Sequence, residues 1–268
     1  MKQIIVATDF STCAENAMRY AIEIATRMSA EITVLHFAHP AQVVDNNVWN
    51  AYFMEDLLEA KREALDSWVA KFSYPDLVIK SSCQVDFLPS GITEHIAENP
   101  SDLLVLGSTG ASGIAGILGS NAASVVAHTL LPTLIVPIDA VYEDNPVLVF
   151  ASDLKPISSQ NADILRTFAD TIRAEVLDVL HVCPDNDTQP KTEQEQQLQA
   201  ALGDMTLTFN YLNSDDVADA IGDFINNNDI GILCTIAHQH TFLHRLFHRS
   251  RVKAIVQQMV KPVLVLHG

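Results

Sequence analysis

The chain has 268 residues, 48% of them apolar and 7% aromatic, with a net charge of −17. That length suits one large or two small domains, and no apolar run reaches the roughly 18 residues a membrane span needs. The acidic balance argues against extended nucleic-acid contact and against anionic membranes, so neither is expected as a partner.

The opening, M-K-Q-I-I-V-A-T-D, enters a strand at once and lacks the apolar region and cleavage site of a signal peptide, which predicts a cytoplasmic protein. Residues 2–8 form that strand and end in Thr8-Asp9-Phe10-Ser11. A helix follows, with Ala17, Tyr20, Ala21, Ile24 and Ala25 at helical spacing on one face. Residues 31–37 read as a second strand, 50–72 as a charged amphipathic helix, 77–85 as a third strand and 89–98 as a short helix. The run 103–106 has the length and flanks of a fully buried fourth strand. Glycines then stand at 107, 110, 113, 116 and 119, and Ser120 and Asn121 offer N-cap chemistry to a helix carrying Val125, Val126 and Leu130. Pro132 stops that helix, and 134–136 is a fifth strand. Cys13, Cys83, Cys183 and Cys234 are scattered, form no C-x-x-C and read as buried free thiols.

Alternating strands and helices in this order predict an α/β fold with a parallel sheet covered on both faces. Ligands of such sheets bind at the carboxyl ends of strands, near the switch in strand order. Asp9, after the first strand, and the Gly107 loop, after the fourth, therefore share an expected crevice. A glycine-rich loop before a helix start is a natural anion site, because backbone N–H groups approach closely and the helix dipole favours negative charge. It is not a Walker loop: no lysine or arginine occurs from 99 to 139. Nor is it the dinucleotide fingerprint, which follows a first strand. The plainer reading of the loop is a βα connection, and that of Asp9 is an N-cap of the next helix.

The second half repeats the first. V-L-V-F-A-S-D at 147–153 answers I-I-V-A-T-D at 4–9, and E-V-L-D-V-L-H-V-C-P at 175–184 answers E-I-T-V-L-H-F-A-H-P at 31–40. N-D-I-G-I-L-C at 228–234 answers S-D-L-L-V-L-G, and K-P-V-L-V-L at 261–266 answers L-P-T-L-I-V. Duplication follows, with a linker at 139–146 and domains at 1–140 and 141–268. Each half is expected to hold five strands and about four helices.

With strand-T-D-F-S, a second strand ending Leu-His and Gly-x-x-Gly…Gly-Ser before a helix, the first half resembles a universal stress protein domain. The whole chain is similar to a tandem universal stress protein. The resemblance implies two adenine-nucleotide alpha-hydrolase-like (Rossmann-like) domains, each with a five-stranded parallel sheet, paired as an intramolecular pseudo-dimer. Whether two chains associate further stays open. It also implies a cytoplasmic stress-response regulator binding ATP (with Mg²⁺) or AMP. Carried over by position, Ala7, Thr8 and Asp9 line the adenine and ribose side, and Phe37 contacts the base. Leu106, Gly107 and Gly110 approach ribose and phosphate, and Gly119, Ser120 and Asn121 donate to phosphates. Eight residues separate Gly110 from Gly119, one fewer than in the family pattern.

The second half keeps Asp153 and Ser250, but residues 234–249 contain no glycine, so one nucleotide or none is expected per chain. His240, His244 and His248 stand four apart beside His238, Arg245, Arg249, Arg251 and Lys253. Three readings compete there: a transition-metal site, an anion or acidic-partner contact, and an amphipathic surface helix packed inward or on another subunit, with packing or partner contact favoured. His36 and His181 lie within apolar strand runs and read as core histidines. No nucleophile–base–orienter set is visible, and at most a weak ATPase is expected. The alternative function is a nucleotide-free stress adaptor acting through protein partners.

Overall fold

The computed structural model describes residues 2–39, 51–72, 74–110, 119–183, 190–237 and 261–268, with side chains of the second helix described from residue 55. The first half runs β1 (Gln3–Ala7), α1 (Thr12–Met28), β2 (Glu31–Ala38), α2 (Ala51–Val69), β3 (Ile79–Val85), α3 (Leu88–Glu98), β4 (Leu103–Gly107), α4 (Ser120–His128) and β5 (Thr133–Val136). The second half runs β6 (Leu148–Ala151), α5 (Ser159–Ile172), β7 (Val176–Cys183), α6 (Thr192–Leu202), β8 (Thr206–Asn213), α7 (Val217–Asn227), β9 (Ile232–Ala237) and β10 (Val263–His267).

The strands form one sheet in the order β3-β2-β1-β4-β5-β10-β9-β6-β7-β8. Among the described residues, pairing is parallel within each half, and β5 and β10 alone meet antiparallel, with Leu264 opposite Leu134. These two leucines are also equivalent in the repeat, so a local pseudo-two-fold passes through their pair. The last strand of each half thus covers the edge of the other half. The outer edges of the joined sheet are β3 and β8.

Strands with buried side chains on both faces need cover on both, and the helices supply it. Ile4, Val6, Ile32, Val34, Leu103, Val105 and Leu134 join α1 and the α5 residues Leu165 and Phe168 in one core cluster. Ile5, Leu35, Leu104, Leu106 and Ile135 join Ile92 of α3 and Val125 of α4 in the other. Each fully buried side chain of this size contributes about 1.5–3 kcal/mol. All four cysteines are buried and none forms a disulfide.

Residues between β5 and β6 are tied down by α1. Asn16 Nδ2 donates to the carbonyls of Pro137 and Ala140, both at 2.8 Å, and the Tyr20 hydroxyl donates to Val141 O at 2.7 Å. Asn161 of α5 repeats the first of these contacts, donating to His267 O at the end of β10. No helix among the described residues is long and apolar enough to cross a membrane.

Candidate functional site

The first half reverses its strand order between β1 and β4, and the residues following these two strands meet. Thr8 N donates to Leu35 O at 2.9 Å, carrying the ladder one residue past β1. The chain then turns sharply. Thr8 Oγ1 accepts from Phe10 N at 3.0 Å, and Asp9 Oδ1 accepts from Ser11 N at 3.1 Å. The turn forces Phe10 to φ 67°, a left-handed conformation that costs a non-glycine residue about 1–2 kcal/mol. The cap of α1 is Ser11, whose side chain accepts from Ala14 N, so the N-cap alternative for Asp9 does not hold.

Phe10 is held in this conformation by its ring. It lies on His36 with centroids 4.3 Å apart at 33°, and meets Trp68 of α2 edge-on at 6.4 Å. His36 Nδ1 lies 2.9 Å from Thr8 O, and because a carbonyl only accepts, Nδ1 carries the proton. Its buried Nε2 has no hydrogen-bond partner among the described residues. Burial holds the His36 pKa below its ordinary value; the Thr8 hydrogen bond opposes this, Lys61 adds to it, and Asp9 opposes it. His36 is thus a core histidine, as its strand context predicts, but one wired to the turn that presents Asp9.

The loop after β4 begins with a glycine required by packing. A Cβ at Gly107 would stand 2.9 Å from Cys13 Sγ and 3.0 Å from Cys13 C, so glycine here admits the first turn of α1. Ser108 and Thr109 are buried, and Ser108 N donates to Val136 O. At Gly110 the loop reaches the strand end: a Cβ there would stand 3.0 Å from Asp9 Oδ2. Residues 111–118 lie outside the described part. The chain is described again at Gly119, whose N–H donates to Ser108 O at 2.7 Å, which sets the start of α4 beside residues 108–110.

The cap differs from expectation. Gly119 holds the N-cap position, with φ −64°, and offers no side chain; Ser120 is the first helical residue and Asn121 the second. Serine chemistry is not used as a cap because the helix starts one residue earlier than the serine would need. Both side chains are exposed, and the first-turn N–H groups of α4 receive no cap from the residue before them.

The other expected site residues divide. Ala7 and Leu106 point into the core between the sheet and α3–α4, leaving only their backbone at the crevice. Phe37 projects from the opposite face of β2 to His36, and its ring packs where a side chain at Gly91 of α3 would sit, 2.2 Å from that Cβ position. The residues that sequence reasoning passed over are Phe10 and Trp68. The available signal was Phe10 between Asp9 and the serine cap, a bulky residue in a turn.

The second half copies the turn but not its surroundings. Ser152 Oγ accepts from Leu154 N at 3.0 Å, Leu154 has φ 58°, and His181 Nδ1 donates to Ser152 O at 2.9 Å. Leu154 cannot stack as Phe10 does, and His181 meets Tyr211 edge-on at 5.8 Å instead. Asp153 Oδ2 is engaged by Lys155 Nζ at 2.7 Å. The segment with His238, His240, His244, His248 and Ser250 lies outside the described residues. Among the described residues no group of three or more His, Cys, Asp or Glu is arranged to hold a metal ion.

Residues 1–137 match the family described as "Universal stress protein family". The chain belongs to that family. Among curated relatives, Universal stress protein G of Shigella flexneri is 33% identical over 84 residues, covering 31% of this chain and 59% of that protein. Universal stress protein G of Salmonella typhimurium is 34% identical over the same length and shares. The chain therefore spans 59% of the length of the curated relatives it matches. The crystal structure of a universal stress protein from Archaeoglobus fulgidus DSM 4304 superposes with a TM-score of 0.68, covering 99% of this chain and 98% of that one at 17% identity. That likeness establishes the fold across both halves.

Proposed function

We propose that this universal stress protein binds one adenine nucleotide, ATP or AMP, in its first half and serves as a cytoplasmic stress-response regulator rather than an efficient enzyme. The supporting observation is the approach of Gly110 to the Asp9 carboxylate, at the switch in strand order where sheets of this kind hold ligands. Asp9 accepts from a ribose hydroxyl or the adenine amino group. Backbone N–H groups at Gly110 and in the first turn of α4, from Ser120 and Asn121, face the phosphates, where the helix dipole favours negative charge. Gly107 serves chiefly to pack α1, and Phe37 to pack α3. With a net charge of −17, bound ATP arrives with Mg²⁺ to offset its own charge.

The second half, taken as residues 141–268 beside a first domain of residues 1–140, carries no nucleotide in the family manner. Its Asp153 is already paired with Lys155. That pairing, with the shorter Gly110–Gly119 spacing, favours the second reading, a nucleotide-free adaptor whose halves present surfaces to other proteins.

Native mass spectrometry of the freshly purified protein, followed by nucleotide analysis after denaturation, decides between them. About one ATP, ADP or AMP per chain, lost in Asp9→Ala and Gly110→Val, supports nucleotide binding. No nucleotide on purification and none gained with ATP and Mg²⁺ leaves the adaptor reading.

A further inference from the structure

Both halves bond a strand histidine to the carbonyl of the residue before the aspartate, at the same 2.9 Å: His36 to Thr8, and His181 to Ser152. Only the first carries an aromatic ring over the histidine. Phe10, in a left-handed conformation, covers His36 at 4.3 Å, and Trp68 meets Phe10 edge-on at 6.4 Å. Among the described residues, Trp68 Nε1 and His36 Nε2 are both buried and have no hydrogen-bond partner. Charged and titratable groups act on the ring from each packed element. They are Asp9 at the end of β1, Lys61 in α2, and Cys83 of β3, which pairs in register with His36 and itself feels Lys61 and Arg62.

We propose that His36 is a positioning residue for the Asp9–Gly110 crevice, and that its neutrality makes that crevice a proton-sensitive element which loses its geometry when the ring is protonated. The regulatory part rests on the nucleotide reading above.

The chain of contacts is short. A proton on Nε2 places a charge on a buried atom with no hydrogen-bond partner among the described residues, and the favourable response is to expel the ring. Expulsion breaks the Nδ1–Thr8 bond and removes the support beneath Phe10. The left-handed turn then relaxes, and with it the placement of Asp9 against Gly110. The sign follows from burial, which lowers the His36 pKa below 6.5. Closed geometry is therefore complete above pH 6.5 and is lost as pH falls through the lower, folded-state value. The second half lacks the stacked ring and serves as an internal control.

The test follows backbone amides of Asp9, Phe10 and Gly110, and the ring nitrogens of His36, by NMR on the full ligand-free chain from pH 8 to pH 5. We expect the three amides to shift together with the protonation of His36. His36→Asn, which keeps a short N–H donor toward Thr8 and cannot titrate, should abolish the transition; His181→Asn should leave it in place. Amides that stay fixed while the His36 ring titrates overturn the proposal, as does a transition that persists in His36→Asn. Should that variant not fold, the wild-type comparison of ring and amides still decides. Adenosine is the ligand probe, because its lack of phosphate removes the ionisation near pH 6 that a nucleotide would add. Its affinity should fall by up to about tenfold per pH unit once His36 begins to protonate. Failure of adenosine and ATP to bind at any pH counts against the nucleotide reading alone, while the amide titration continues to judge His36.

Discussion

Gly110 and Asp9, a hundred residues apart in sequence, are so close that a side chain at 110 would place its first carbon 3.0 Å from Asp9 Oδ2. The contact depends on the parallel pairing of β1 with β4, which delivers both chain segments to the same sheet edge. It also separates the two described glycines that open the loop into different roles, one facing a carboxylate at the crevice and the other packed beneath a helix.

That separation predicts unlike outcomes. Gly110→Val should abolish nucleotide binding while shifting thermal stability little, because Gly110 has no positive φ and, among the described residues, the Asp9 side chain alone must yield. Gly107→Ala should instead cost about 1–3 kcal/mol of stability, since the Cys13 side chain and backbone occupy the space. Calorimetric ligand titration and urea unfolding of both variants check the pair. Equal losses of stability in the two would contradict the assignment.

Phe37 and Gly91 form a second pair fixed by shape. Gly91→Ala should destabilise the protein by about 1–3 kcal/mol, because the Phe37 ring lies within 2.2 Å of the new carbon. In Phe37→Ala the ring is gone, and adding Gly91→Ala should then cost little or nothing. A double-mutant cycle in urea measures the coupling. Additive effects would show that the ring sits elsewhere.

The asparagines of α1 and α5 should behave alike. Asn16→Ala leaves the carbonyls of Pro137 and Ala140 without their donor, and Asn161→Ala does the same to His267. Each change should cost about 1–3 kcal/mol, the penalty of leaving partly buried acceptors unsatisfied. Thermal or urea unfolding provides the measurement, and a loss below 0.5 kcal/mol in both would argue that water replaces the donors.

Acid should weaken the fold through its histidines. Burial lowers the pKa of His36, His95 and His267 in the folded protein. Unfolded histidine binds protons more readily, so the stability linked to these groups is full above pH 6.5 and is lost as pH falls through the lower folded values. Urea midpoints measured from pH 8 to pH 5 should decline through the lower part of that range. A midpoint constant down to pH 5 would count against buried neutral histidines.

The first half alone, residues 1–140, should self-associate. Within the chain its β5 edge is covered by β10, and without that strand the run Leu134-Ile135-Val136 is a bare apolar edge. Sedimentation of the truncated protein across a concentration series tests this. A monodisperse monomer at every concentration would show that β5 needs no cover.

Local chemistry made much of this protein legible from its sequence. Short apolar runs flanked by turn residues marked β1, β4 and β5, and 3.6-residue spacing marked α1, because burying one helix face or both strand faces dictates the pattern of residues directly. The repeated blocks disclosed the duplication, and Asp9 with the glycine loop marked the candidate site, since strand-end placement follows from element order alone. Only the tertiary structure decided what depends on contacts between distant segments. It set Gly107 against Cys13 and Phe37 against Gly91, made Gly119 rather than Ser120 the cap of α4, and folded Phe10 over His36 in a strained turn. A residue's period records which face it occupies, whereas its role depends on what another part of the chain brings to that face. The sequence shows a bulky residue in that turn but not its left-handed conformation, because the ring contacts that offset the backbone cost come from β2 and α2.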